Sequence, residues 1–140
     1  MNEHPLAAVG EASATLQQAV EYAELWRARR NHAISAVKAH GASVAYLMDV
    51  ARLSRASIYA ILKQSDAKQK VQGSREEADK LLAATVKAVD KADAAVVLAR
   101  RARDEKLMSA CGAGIEITAI AKAAGLNRTQ LYAIFHHYSA

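Results

Sequence analysis

Two short stretches of the chain carry the polar residues that could do chemistry, one beginning at Ser54 and the other at Asn127. Each offers an arginine, a tyrosine and several hydroxyl or amide side chains. Arginine pairs bidentately with guanine and glutamine with adenine, whereas serine, threonine, tyrosine and lysine more often hold phosphates. The candidate DNA-binding residues are Ser54, Arg55, Ser57, Tyr59 and Lys63 in the first stretch, and Asn127, Arg128, Thr129, Gln130, Tyr132 and His136 in the second.

Each kind of candidate also has a plainer interpretation. Arg55 and Arg128 could be solvated residues at helix starts, and Tyr59 and Tyr132 could pack in a core. His136 could be a solvated terminal histidine, because its neighbourhood offers too few ligands for a metal. We therefore expect no metal site and no cofactor.

Arginines also cluster shortly before each stretch. On a helix they would flank the candidate residues and could neutralise phosphates. An equally good interpretation is a basic, solvated helix end, where positive charge is favourable near the negative end of the helix dipole. The possible phosphate contacts are Arg27, Arg30, Arg100 and Arg103.

The chain repeats itself with a shift of 73 residues. Residues 30–62 align with 103–135 without gaps, and eight of the 33 positions are identical. The identities include Gly41 and Gly114, which follow helical patterns, and the two candidate arginines. Because the matches fall on structurally special positions, we interpret the pattern as a duplication.

Each repeat predicts a long helix that ends at a glycine and is followed by two short helices. The fold class is therefore all-α. Ser74, with Glu77 three residues later, is expected to cap the second long helix. The domain limits are 1–64 for the first unit, 65–74 for a linker and 75–140 for the second unit. The predicted helices are 11–40, 43–51, 55–64, 75–112, 116–124 and 128–137.

The second pair of short helices has the residue pattern of a helix-turn-helix. Such a motif needs a small residue where its helices cross, a glycine or similar residue in its turn, and apolar residues that lock the angle. Ala121 is the small residue, Gly125 lies in the turn, and Asn127 can cap the following helix. The apolar lock is predicted from Ile120, Ala124, Leu126, Leu131 and Ile134.

The stretch from Ile120 to Tyr132 resembles the helix-turn-helix of resolvase-type and sigma-factor region-four-like proteins. The arginine-rich helix ahead of it, over 98–105, is similar to that of small actinobacterial or phage regulators. The resemblance covers residues 98–138 well and 25–64 less well. It implies sequence-specific binding of duplex DNA, with the last helix in the major groove.

The first repeat departs from this pattern at two positions. Met48 stands where the second repeat has Ala121, and Arg52 stands where it has Gly125. A bulky residue at the crossing separates the helices, and a non-glycine residue in a left-handed turn costs roughly 1 kcal/mol. The turn can adopt another geometry, so neither change excludes a helix-turn-helix. We expect the first repeat to read DNA less well than the second.

Both long helices carry a heptad seam, in which apolar or small residues alternate at steps of four and three. A parallel pair of these helices would need a linker of about 45 Å, but ten extended residues reach only about 36 Å. We therefore predict an antiparallel, coiled-coil-like hairpin with one helix-turn-helix near each end. The seam residues are Ala12, Leu16, Ala19, Ala23 and Trp26 in the first helix, and Ala78, Leu82, Thr85, Val89, Ala92, Val96 and Ala99 in the second.

The composition of the chain limits which classes of function are expected. The net charge of +5 favours an anionic partner, nucleic acid first. Cys111 is the single cysteine, so an intrachain disulfide is excluded. No apolar run approaches the roughly 18–20 residues of a membrane span, so we expect no membrane partner and a cytoplasmic, nucleoid-associated protein.

These observations favour a transcriptional regulator, with repression as the expected action, that binds double-stranded DNA as a single-chain pseudo-dimer. Its two readers could address half-sites roughly 34 Å apart. Alternatives are an architectural, nucleoid-type DNA-binding protein and a module that binds the transcription machinery. A homodimer through the long helices is the alternative assembly. An enzyme is not expected, because the sequence lacks a convergent carboxylate pair, a nucleophile beside a base and a phosphate-binding glycine loop.

Overall fold

Residues 4–65, 71 and 73–139 are described by a computed structural model. All regular secondary structure in this part of the chain is α-helical, which confirms the predicted class. None of the helices in these ranges is long and apolar enough to cross a membrane. The helices are α1 (Pro5–Ala39), α2 (Val44–Ala51), α3 (Arg55–Gln64), α4 (Arg75–Gly112), α5 (Ile117–Ala124) and α6 (Arg128–Ser139).

The helix boundaries follow the sequence repeat. Four helix boundaries of the first repeat recur 73 residues later in the second repeat. They are the end of the long helix, the start and end of the first short helix, and the start of the second short helix. The repeat therefore describes backbone conformation as well as residue type. The paired boundaries are Ala39 with Gly112, Val44 with Ile117, Ala51 with Ala124 and Arg55 with Arg128.

The long helices begin at local signals in the sequence. α1 begins at Pro5, earlier than predicted, because proline suits the first helical position and the Leu6 N–H donates to His4 Nδ1 at 3.1 Å. At the start of α4 the Glu77 N–H donates to Ser74 Oγ at 3.0 Å, as expected of a capping serine.

A glycine in the left-handed conformation follows each long helix. Gly41 has φ 96° and Gly114 has φ 80°, a region that side chains rarely adopt. The Gly41 N–H donates to the Lys38 carbonyl at 2.9 Å, and the Gly114 N–H donates to the Cys111 carbonyl at 3.1 Å. These equivalent closures direct the chain into the first short helix of each pair.

The contacts divide the chain into two compact units. The central unit comprises Tyr22–Asp93, and the terminal unit comprises Met1–Glu21 with Ala94–Ala140. Each unit therefore contains segments of both long helices and one pair of short helices. The domain limits drawn from the repeat stay a prediction, and most of the predicted linker, 66–70 and residue 72, lies outside the described residues.

The core of the central unit joins its four helical segments. Ile34 of α1, Leu47 of α2 and Ile58 of α3 are fully buried in one cluster with Leu82 of α4. Burial of such side chains contributes about 1.5–3 kcal/mol each. This cluster fixes the short helices on the long ones.

The core of the terminal unit uses the equivalent positions. Leu107, Ile120 and Leu131 are fully buried together with Val9 from the start of α1. Val9 and Leu82 are themselves 73 residues apart, so each cluster includes, at this equivalent position, a residue from the long helix of the other sequence repeat. The equivalent core pairs are Leu107 with Ile34, Ile120 with Leu47, Leu131 with Ile58 and Val9 with Leu82.

The predicted seam lies on the covered faces of both long helices. Every seam residue is buried or half-buried, including Thr85, whose Oγ1 donates to the Leu82 carbonyl at 2.9 Å. The heptad spacing therefore identified the packed faces of α1 and α4.

Candidate nucleic-acid interface

The turns between the paired short helices have the same backbone conformation. Arg52 has φ 56° and ψ 45°, and Gly125 has φ 69° and ψ 27°, so both are left-handed. The residue after each turn also donates its N–H to the equivalent carbonyl, at 3.2 Å in the central unit and 2.9 Å in the terminal unit. The first repeat thus keeps the turn geometry despite its arginine.

The first turn accommodates its non-glycine residue with help from its surroundings. The Arg52 guanidinium forms an ion pair with Asp90 on α4. Because both side chains are more than half exposed, that pair contributes at most about 1 kcal/mol. Met48 and Leu53 on either side of the turn pack against the central core cluster, which holds the strained residue in place.

The starts of α3 and α6 are closed by side chains that were predicted to read bases. Ser54 Oγ accepts the Ser57 N–H at 3.1 Å. At α6 the arrangement is reciprocal, since Asn127 Oδ1 accepts the Gln130 N–H at 2.8 Å and Gln130 Oε1 accepts the Asn127 N–H at 3.0 Å. The structure therefore gives these side chains a role in capping, which was predicted for Asn127. The asparagine–glutamine spacing of three could also have indicated the returning bond of Gln130.

An arginine and a tyrosine project from the first two turns of each second short helix. Arg55 and Arg128 begin α3 and α6 and are exposed. Tyr59 is 52% exposed and Tyr132 is 49% exposed, so neither is a core aromatic. Arg128 Nη2 lies 3.5 Å from Tyr132 Oη, which places both groups on one face of α6.

The other candidates lie on the same short helices, in segments that contain no acidic residue of their own. Lys63, Thr129 and His136 are exposed, whereas Ser57 is half-buried. The sequence has no aspartate or glutamate over residues 50–65 or 117–139. Neither segment therefore contributes a negative side chain to its own surface.

Three of the four arginines considered as phosphate contacts have partners inside the protein. Arg27 forms an ion pair with Asp93. Arg30 donates through Nε and Nη2 to Asn31 Oδ1 at 3.3 and 3.1 Å, and its burial lowers the pKa of its guanidinium. Arg103, in the terminal unit, forms an ion pair with Asp104. Arg100 is exposed.

A buried carboxylate in the terminal unit was not identified from the sequence. Arg103 donates through Nε and Nη2 to Asp104 Oδ1 at 3.2 and 3.0 Å, and the two side chains are 13% and 9% exposed. The Tyr138 hydroxyl donates to Asp104 Oδ2 at 2.9 Å. That hydrogen bond raises the pKa of Tyr138. Arg103 is therefore already paired with Asp104 within the protein, and its role as a phosphate contact stays a prediction.

No protein-family model, curated protein or solved structure matches this chain. Within residues 4–65, 71 and 73–139, no group of three or more histidine, cysteine, aspartate or glutamate side chains is placed to hold a metal ion.

Proposed function

We propose that the chain is a double-stranded DNA-binding protein in which α2–α3 and α5–α6 are helix-turn-helix units. Within that class, we propose a sequence-specific transcriptional regulator that acts as a repressor. Both units belong to one chain, which then imitates a dimeric regulator. The resemblance to resolvase-type and sigma-factor region-four-like proteins supports this proposal through the residues of α5 and α6.

One observation carries the proposal. Two helix pairs share a left-handed turn, and each places an exposed arginine at the first position of its second helix and an exposed tyrosine one turn later. Base edges are read from the start of the second helix of such a motif. The absence of carboxylates over 50–65 and 117–139 means that neither segment carries a negative side chain that would repel phosphates.

The side chains divide between reading and positioning. Arg55 and Arg128 are the proposed guanine readers, because a guanidinium can donate two parallel hydrogen bonds to one guanine. Tyr59, Tyr132 and Lys63 are proposed to hold phosphates. The capping residues at the helix starts keep these side chains in place and contribute less to base recognition than their types suggested.

We also propose that the long helices run antiparallel. In the central unit, Arg27 pairs with Asp93, while Ile34, further along α1, joins a cluster with Leu82, further back along α4. Residue numbers therefore rise along one helix as they fall along the other. In the terminal unit the early residue Val9 of α1 clusters with the late residue Leu107 of α4, in agreement with the same direction.

Selection of bound sequences from random duplex DNA, with the whole protein, tests the regulator proposal. Two related motifs at a fixed spacing would support two readers on one chain. A single motif would mean that only one unit reads bases. No enrichment, with binding retained at low salt, would instead favour an architectural protein, and no binding at all would favour a protein-interaction module.

Replacement of one proposed reader provides the matching variant test. We expect Arg128→Ala to weaken binding to the selected DNA by about 5- to 150-fold and to relax preference at one base position. Lys87→Ala, on the exposed side of α4, removes the same charge and serves as the control. Equal losses in the two variants, without a change in base preference, would contradict a reading role for Arg128.

A further inference from the structure

The buried Asp104 is a titratable group that neither the core nor the proposed reading surface uses. It lies on α4 among arginines, and its side chain is 9% exposed. A buried carboxylate that lacks partners is strongly destabilising, so its polar contacts decide whether the unit folds around it. Both carboxylate oxygens accept hydrogen bonds here.

The two partners of Asp104 come from different helices. Arg103 is its neighbour on α4 and neutralises the charge, whereas Tyr138 lies in the last turn of α6. The Tyr138 hydroxyl, at 2.9 Å from Oδ2, therefore joins the end of α6 to α4 through a charge-assisted hydrogen bond. The apolar contacts of α6 are made earlier, by Leu131, Ile134 and Phe135.

Among the described residues of the central unit, the equivalent positions do not form this connection. Asn31 stands at the position equivalent to Asp104 and accepts only from Arg30 among the bonds described there. Ser65 stands at the position equivalent to Tyr138, and its hydroxyl turns back to the Leu62 carbonyl at 2.7 Å. The described contacts of the second short helix with the central core are made by its apolar residues Ile58, Ile61 and Leu62.

The difference agrees with the sizes of the two cores. Among the described residues, the central cluster contains ten buried apolar residues and the terminal cluster contains six. A smaller core leaves more freedom for a helix that is fixed at one end only. A polar contact at the far end removes that freedom, because α6 is then held at two points.

We propose that Asp104 and Tyr138 form a latch that sets the position of α6, and that both are positioning residues for base reading by Arg128. This inference rests on the proposed function. A functional side chain must be held within about 0.5 Å of its productive position. The latch meets that need in the terminal unit. We therefore expect base discrimination to be stronger in the DNA half-site that α6 reads.

The whole protein carrying Tyr138→Phe tests the latch, with base discrimination measured separately in the two half-sites of the selected DNA. We expect discrimination to fall by about 3- to 10-fold in the half-site read by α6, in line with the loss of one partly exposed hydrogen bond to a charged group, and to stay unchanged in the other. Amide exchange in the last turn of α6 should become faster. Tyr46→Phe is the control, because it removes a 3.1 Å tyrosine–aspartate hydrogen bond in the central unit.

Asp104→Asn provides a second variant that keeps an acceptor for Tyr138 and reproduces the residue of the central unit. We expect a smaller loss of discrimination at the same half-site. Equal losses in both half-sites, or unchanged discrimination and exchange in Tyr138→Phe, would overturn the latch. A wild-type protein without base preference would overturn the proposed function and the reading role together, while faster exchange in Tyr138→Phe would still demonstrate the contact.

Discussion

The central and terminal units share their helix boundaries and turn conformation, but they stabilise this arrangement by different means. In the central unit, an arginine occupies the left-handed turn and ten buried apolar residues form the core. In the terminal unit, glycine occupies the turn, six buried residues form the core, and a tyrosine–aspartate contact fixes the last helix. Buried and capping residues therefore specify this helix pair. The residue in the left-handed turn changes only the conformational strain of the turn.

The largest expected effect comes from the equivalent core residues Ile58 and Leu131. Both are fully buried, and either change to alanine should lower the free energy of unfolding by about 2–5 kcal/mol. We expect Leu131→Ala to be the more damaging, because its core is smaller. Urea unfolding followed by helical circular dichroism measures both variants, and a larger loss in Ile58→Ala would contradict the ranking of the two cores.

The helix starts offer the next comparison. Ser54→Ala and Asn127→Ala each remove a side-chain acceptor for a backbone N–H, which typically costs about 1 kcal/mol. Gln130→Ala should destabilise the terminal unit as well, because Gln130 closes the reciprocal bond to Asn127. Thermal unfolding checks these values. Lys122→Ala, on the exposed face of α5, is the control and should leave the midpoint nearly unchanged.

Exchange of the turn residues should have a smaller effect. Gly125→Arg should cost about 1 kcal/mol, because a side chain disfavours the left-handed conformation although no atom lies within 4 Å of a Cβ there. Arg52→Gly should change stability by only a few tenths of a kcal/mol, since relief of strain is offset by greater unfolded-state entropy and loss of the pair with Asp90. A neutral Gly125→Arg in chemical unfolding would show that this turn tolerates side chains.

The smallest expected effect is on the pH dependence of stability. The hydrogen bond to Asp104 raises the pKa of Tyr138 in the folded state. Its stabilising contribution is therefore fully present below the unfolded pKa of about 10, and it disappears as the pH rises through the folded pKa. The stability difference between wild type and Tyr138→Phe should shrink over that alkaline interval, and a constant difference would contradict the assignment.

The helix order and most helix limits were predictable because local signals mark them. Gly41 and Gly114 close the long helices, and Ser54 and Asn127 cap the second short helices. The start of α1 was placed too late, since the contribution of His4 to the first turn is not visible in an apolar periodicity.

The side-chain roles at the candidate site were less predictable. Residue type alone cannot tell whether an amide such as Gln130 faces DNA or caps its own helix. The contact between Asp104 and Tyr138 joins residues 34 positions apart, so it depends on tertiary packing that no local pattern encodes. The left-handed Arg52 is a further case, because the surrounding core overrides the intrinsic preference of the residue.

The contribution of Val9 to the terminal core has a consequence for synthesis of the chain. Residues 22–93 are contiguous, so the central unit can assemble while translation continues. The terminal core requires Val9 to meet Leu131, which lies 122 positions further along the chain, and closure of so long a loop slows folding. The apolar start of α1 therefore stays uncovered in the nascent protein until the segment around Leu131 has been made, and until then it is open to chaperones and proteases.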